Sequence, residues 1–136
     1  TYKVQISPAI KVTDTIHHKK KQTPNLILIS HNDTQLLECA DTDYLIRDLT
    51  NNNVGRHESG AHTSGINAAC WIDKDMFCTA AAAQVSIWKI GSESPFSILE
   101  NGNTQSITSL TSKLSSKGRY YVCATSGKTC HFYKLK

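Results

Sequence analysis

The chain lacks any run approaching the roughly 18 to 20 apolar residues that a membrane-spanning helix needs, and its apolar stretches are interrupted by polar side chains within a few positions. A membrane span is not expected. It also lacks a Cys-x-x-Cys pair, and its five cysteines, Cys39, Cys70, Cys78, Cys123 and Cys130, are an odd number. Both features argue against a closed disulfide framework and against a ribbon-type zinc site. No Gly-x-Ser-x-Gly elbow appears among the serines, and no glycine-rich phosphate cradle is present. Ser126-Gly127-Lys128-Thr129 contains a GKT triplet without the upstream glycine of a phosphate loop, and it reads as a hairpin turn. The adjacent ligand-type pairs are His17-His18 and Cys130-His131, and neighbours in a strand point to opposite faces, which does not suit a shared ion. The expectation is a protein without a catalytic centre, a metal or a cofactor.

Charge of one sign is scarce outside the N-terminus. The net charge of +4 is already present in residues 1–22, where Lys3, Lys11, Lys19, Lys20 and Lys21 face only Asp14; the rest of the chain is balanced. Lys19, Lys20 and Lys21 are therefore the candidate contacts to phosphate or to a partner, although three consecutive lysines are equally at home in a solvated loop. No Arg-rich stretch or aromatic stacking platform supports a nucleic-acid reading. Cys39, Cys70, Cys78 and Cys123 lie in apolar runs, where a reduced cysteine acts as a small core residue. A reducing, intracellular compartment, cytoplasmic or nuclear, is the simpler reading. The triplet Asn32-Asp33-Thr34 fits a tight turn as well as a glycosylation site.

What the chain does have is 39% hydrophobic content over 136 residues, enough for one core, distributed in short runs. Leu26-Ile27-Leu28-Ile29, Leu36-Leu37-Glu38-Cys39-Ala40 and Tyr44-Leu45-Ile46-Arg47 are separated by Asn/Asp clusters, which indicates antiparallel hairpins and an all-β chain. Ala80-Ala81-Ala82-Ala83 is too short to nucleate a helix and lies between two β-like runs. The pattern repeats. Three segments end alike, in Arg47-Asp48-Leu49, Trp88-Lys89-Ile90 and Tyr133-Lys134-Leu135, and Arg47, Trp88 and Tyr133 stand 41 and 45 residues apart. A four-stranded unit of 40 to 45 residues is the period of a propeller blade.

The middle unit runs from Gly60-Ala61-His62 through Ile66 to Trp71, a turn at Asp73 to Asp75, Met76 to Ala80, and Val85 to Ile90. It resembles a WD repeat, in which a Gly-His pair precedes one strand and a Trp-Asp pair closes the unit. The resemblance implies that His62 and Trp88 belong to a buried hydrogen-bond network with an aspartate between the third and fourth strands. Ala61 here separates Gly60 from His62, Lys89 stands at the closing aspartate, and Ala81-Ala82-Ala83-Gln84 offers no carboxylate. His62 is accordingly a structural residue with part of its role vacant. In the first unit only Asp48 matches the closing pair, and in the third Tyr133 stands at the tryptophan position.

The expected architecture is a partial β-propeller of about three four-stranded antiparallel blades over 1–136, with approximate blades 8–50, 51–91 and 92–136 and with 1–7 as the last strand of a preceding blade. Three blades cannot close a ring, so the Thr1 start and the finish at Lys136 read as a fragment of a larger propeller, or a partner supplies the remaining blades. The resemblance implies a non-catalytic interaction scaffold among the protein subunits of a larger complex. The alternatives are a nucleic-acid-associated subunit of RNA-processing type, or the regulatory propeller of an enzyme whose catalytic domain lies elsewhere.

Overall fold

The computed structural model describes residues 23–51, 54–100 and 105–136. Lys19, Lys20, Lys21 and the strand expected within residues 1–7 lie outside the described residues. Eleven strands are found there: β1 (Leu26–Ile29), β2 (Gln35–Ala40), β3 (Asp43–Asp48), β4 (Val54–Glu58), β5 (Ile66–Trp71), β6 (Met76–Ala81), β7 (Gln84–Lys89), β8 (Ser97–Glu100), β9 (Ile107–Leu114), β10 (Tyr120–Ser126) and β11 (Thr129–Lys134). They form three antiparallel sheets in the orders β1-β2-β3-β4, β5-β6-β7-β8 and β11-β10-β9. The all-β expectation holds among these residues, and the alanine run is not helical: Ala80 and Ala81 end β6, and Ala82 and Ala83 form a turn.

The sheets and the sequence units differ in where they begin and end. The sheets are displaced by one strand from the sequence units: β4, placed in the unit 51–91, pairs with β3, and β8, placed in 92–136, pairs with β7. The chain finishes each sheet with a strand beyond the Arg47 or Trp88 marker, because the short connection after the marker strand lets the next segment pair with its open edge. The third sheet has three strands rather than four among the described residues.

The period is visible in the hairpins at the centre of each sheet. Ala40 pairs with Asp43, Ala81 with Gln84 and Ser126 with Thr129, so each turn has two residues. The first turn residue has a left-handed backbone in all three: Asp41 at φ 51°, Ala82 at 49° and Gly127 at 58°. Only the last is a glycine, so Ala82 carries a Cβ in a conformation that disfavours it. The same residues tie sheet to sheet. Ile66 N donates to Asp41 O at 2.7 Å, and 41 residues later Ile107 N donates to Ala82 O at 2.7 Å.

Two cores follow from the alternation of side chains along the strands. Leu37, Cys39, Tyr44 and Ile46 of the first sheet meet Ile66, Trp71, Phe77 and Trp88 of the middle sheet. Cys78, Ala80, Val85 and Ile87, on the other face of the middle sheet, meet Ile107, Leu110, Val122 and Ala124 of the third. The middle sheet is thus covered on both faces, which is why β6 reads as the nearly unbroken apolar run MFCTAA rather than an alternating one. Replacing Ala82 by Gly is expected to raise the unfolding free energy by about 0.5 to 1 kcal/mol, read as a higher urea midpoint, because relief of the left-handed strain exceeds the added freedom of the unfolded chain.

Candidate functional site

Gly60 and His62 sit on the loop that leaves the first sheet and enters the middle one. Asp43 holds this loop: its carboxylate accepts from Gly60 N at 2.9 Å and from Ser59 Oγ at 3.2 Å, and His62 N donates to Thr42 O at 3.3 Å. Gly60 has φ 65°, the left-handed backbone that turns the chain inward. The His62 ring then lies buried, with Nε2 2.7 Å from Thr79 Oγ1, and Trp88 Nε1 donates to the same hydroxyl at 2.8 Å. The structure therefore brings His62 and Trp88 together, as the resemblance implies, but through Thr79 of β6.

The proton arrangement follows from counting partners. Trp88 can only donate, so Thr79 Oγ1 accepts from it and retains its own proton. If the hydroxyl donates to His62 Nε2, the chain Trp88 to Thr79 to His62 is continuous and one group, Nδ1–H, remains without a partner. The opposite tautomer would leave the threonine proton unmatched as well. Burial disfavours the charged ring and lowers the His62 pKa from the ordinary 6.5, an effect that the Gln84 side chain opposes. Although Gln84 favours the charged ring, Nδ1 has no partner in hydrogen-bonding geometry. His62 is a neutral strut in a closed space rather than an accessible general base.

Around this network stands a group of rings from two sheets. Tyr44 of β3 meets Phe77 edge-on at 5.1 Å and Trp88 at 4.9 Å, while Trp71 and Phe77 are 5.5 Å apart. Trp71 Nε1 also donates to Leu28 O of the first sheet at 3.1 Å. Trp71 and Phe77 are packing residues, in agreement with their positions inside strand patterns. Aromatic contacts of this kind contribute about 0.5 to 1.5 kcal/mol per pair beyond the area they bury.

The positions of Thr79 and Trp88 recur in the other two sheets with different chemistry. In the first sheet they are Glu38 and Arg47, which form an ion pair with Nε 3.4 Å from Oε1. In the third they are Ala124 and Tyr133, and the Tyr133 hydroxyl is buried without a hydrogen-bond partner. Alanine has no group to offer it. Asp48, the residue of the first unit that matches the WD pattern, does not enter any such network: its carboxylate accepts from Thr50 N at 2.7 Å and from Thr50 Oγ1 at 2.6 Å, fixing the turn after β3. Those bonds from the Thr50 side chain and backbone hold its pKa below the usual carboxylate range.

Sequence reasoning missed Thr79, and its only signal is a hydroxyl in an otherwise apolar strand, diagonal to a tryptophan on the neighbouring strand. The GKT triplet lies in the hairpin between β10 and β11, as expected. Cys130 and His131 are successive residues of β11 and face opposite sides of the sheet. Among the described residues no group of three or more His, Cys, Asp or Glu side chains is placed to hold a metal ion.

Among the described residues one open surface is the far face of the third sheet. Cys123, Thr125, Cys130 and Phe132 occupy the positions that Cys78, Ala80, Val85 and Ile87 hold in the middle sheet and Leu37, Cys39, Tyr44 and Ile46 hold in the first. Both of those sets are buried between sheets, whereas Phe132 is 75% exposed and its counterpart Ile87 is fully covered. At one rim Tyr120 donates to Asp73 Oδ2 at 2.6 Å, beside a shallow groove lined by Met76, Phe96, Arg119 and Lys134.

Three outcomes check this account of the interior. Thr79→Val should lower the unfolding free energy by about 1 to 3 kcal/mol, because the Trp88 donor is left buried without a partner, and Thr79→Ser should recover much of the loss. The lowered His62 pKa means that the unfolded chain takes up a proton first as pH falls, so its contribution is complete above about 6.5 and declines below that value until the folded ring also protonates. Denaturant midpoints across pH 7 to 4 should show this decline, and His62→Gln should flatten it. Tyr133→Phe should be neutral or stabilising by up to about 1 kcal/mol, since it removes a buried hydroxyl that nothing satisfies.

No family model and no curated protein matches the chain. Among solved structures the chain is similar to the β-propeller domain of Cps50 (Swd1) from Myceliophteria thermophila, with a TM-score of 0.57 and 12% sequence identity. The match covers 82% of this chain and 39% of that one, so the chain spans well under half of the neighbour's length. A likeness at this identity bears on fold alone: the chain is all-β, with the sheet architecture of part of a β-propeller.

Proposed function

We propose that this chain is a segment of a WD-repeat-like propeller that acts as a non-catalytic scaffold, holding protein subunits in a multisubunit assembly inside the cell. The observation that carries the reading is the far face of the third sheet. Its residues stand in register with two sets that are buried against a neighbouring sheet, and Phe132 lies open where Ile46 and Ile87 are covered. The occupant that fits this face is a further antiparallel sheet presenting a surface like that of Ile66, Trp71, Phe77 and Trp88, because the same head-to-tail contact is made twice already within the chain. A neighbouring propeller of which this chain spans 39% has the room for such sheets. The commitment of His62 and Trp88 to Thr79 supports a structural rather than a chemical use of the residues that sequence singles out.

The test is the native mass of the intact protein purified from its own cells, combined with lysine cross-linking. A heteromeric assembly of fixed stoichiometry is expected, with Lys134, which shares the far face of the third sheet with Phe132, cross-linked to a further sheet. An intact protein that stays monomeric and turns over a substrate unaided would overturn the scaffold reading.

A further inference from the structure

Cys70 and Cys78 are directly opposite one another on β5 and β6, and their sulfur atoms are 3.1 Å apart as free thiols. Directly opposed residues of an antiparallel pair have Cα atoms about 4.5 to 5.5 Å apart, inside the range that a disulfide spans without backbone movement. Cys78 is fully buried, whereas Cys70 is half-buried. The pair is therefore accessible from one side only.

We propose that Cys70 and Cys78 form a redox modification site that a hydroperoxide converts to a cross-strand disulfide, with Cys70 as the attacking sulfur and Cys78 as the resolving one. The inference does not depend on the scaffold reading. In the first step the Cys70 thiolate attacks one oxygen of the hydroperoxide, the O–O bond breaks, and the departing oxygen leaves as water or an alcohol after taking a proton. Cys70 is then a sulfenic acid. In the second step the Cys78 sulfur attacks the Cys70 sulfur, the S–O bond breaks, and the hydroxyl leaves as water with the Cys78 proton. The two thiols together lose two electrons and the hydroperoxide gains them. A small dithiol returns both residues to thiols by two exchange steps, becoming a disulfide itself.

The surroundings assign the order. Cys70 is the half-buried member of the pair, the one a hydroperoxide can reach, while Cys78 is fully buried; the hydrogen bond between the two thiols, opposed by burial, favours the Cys70 thiolate, and the same bond and burial push Cys78 well up. Of the remaining thiols, Cys39 lies buried in the other core with its pKa pushed up to about 12 by burial, and Cys123 and the exposed Cys130 neighbour one another diagonally across β10 and β11, where burial and Cys130 both raise the Cys123 pKa. The site faces the third sheet, so a disulfide there would staple the β5–β6 hairpin at the contact between the two sheets.

Lys74 lies between the two cysteines, which makes the site readable in the unaltered protein. Intact protein is treated with hydrogen peroxide, its free thiols are blocked with N-ethylmaleimide, and a non-reducing tryptic digest is analysed by mass spectrometry. The expected product is the peptide ending at Lys74 linked to the peptide beginning at Asp75, released by dithiothreitol. It should form at least about tenfold faster in the folded protein than in urea, because the fold holds the two sulfurs together. In Cys78→Ala, dimedone should trap a sulfenic acid at Cys70. Recovery of Cys70 and Cys78 as blocked thiols after the exposed Cys130 has been oxidised, or linkage of either to another cysteine, or equal rates in folded and unfolded protein, would overturn the proposal.

Discussion

Every sheet in this chain has two faces, and the arrangement depends on covering them. The middle sheet meets the requirement within the chain, with one face against the aromatic core shared with the first sheet and the other against the smaller aliphatic core shared with the third. A strand covered on both faces can be apolar at nearly every position, and β6 is, with Thr79 its one polar residue. The outer sheets have one covered face each among these contacts. The difference between Ile87 and Phe132, equivalent in register and opposite in exposure, is the direct expression of that constraint.

Stacking sheets in this way repeats one contact geometry but does not require one chemistry. The diagonal pair next to the sheet centre is Thr79 with Trp88 in the middle unit, Glu38 with Arg47 in the first and Ala124 with Tyr133 in the third. A neutral hydrogen bond, an ion pair and an unmatched hydroxyl thus occupy the same place. In each case a large side chain on the third strand reaches across to a smaller or shorter one on the second, which is a demand of shape. The hydrogen bonding is then whatever the local pair allows. The turns show the same separation of geometry from chemistry, since Asp41, Ala82 and Gly127 all adopt a left-handed backbone and only one of them is a glycine.

The cysteines illustrate how position decides what one residue type does. Cys39 is a small core residue in an apolar pocket, Cys130 faces outward on β11, and Cys70 and Cys78 meet across a strand pair. Position decides for His62 as well: a histidine in a Gly/Ser/Thr-rich turn acquires a defined role only when Asp43 and Thr42 of the preceding sheet hold its loop and Thr79 receives its ring.

The sequence by itself determined the all-β class, the hairpins and the period of 41 and 45 residues, because alternation, turn residues and repeat spacing are local properties of the chain. It also placed His62 and Trp88 in one unit. It did not reveal that β4 and β8 complete the preceding sheets, since an edge strand pairs with whatever open edge is nearest in space. Nor did it reveal Thr79 as the meeting point, the isolation of Asp48 from the network, or the approach of Cys70 to Cys78. Those depend on register and on which face each strand turns toward its neighbour, and a shift of one residue would reverse every one of them. Tertiary structure decided them because only the packing of one sheet on the next selects a single register.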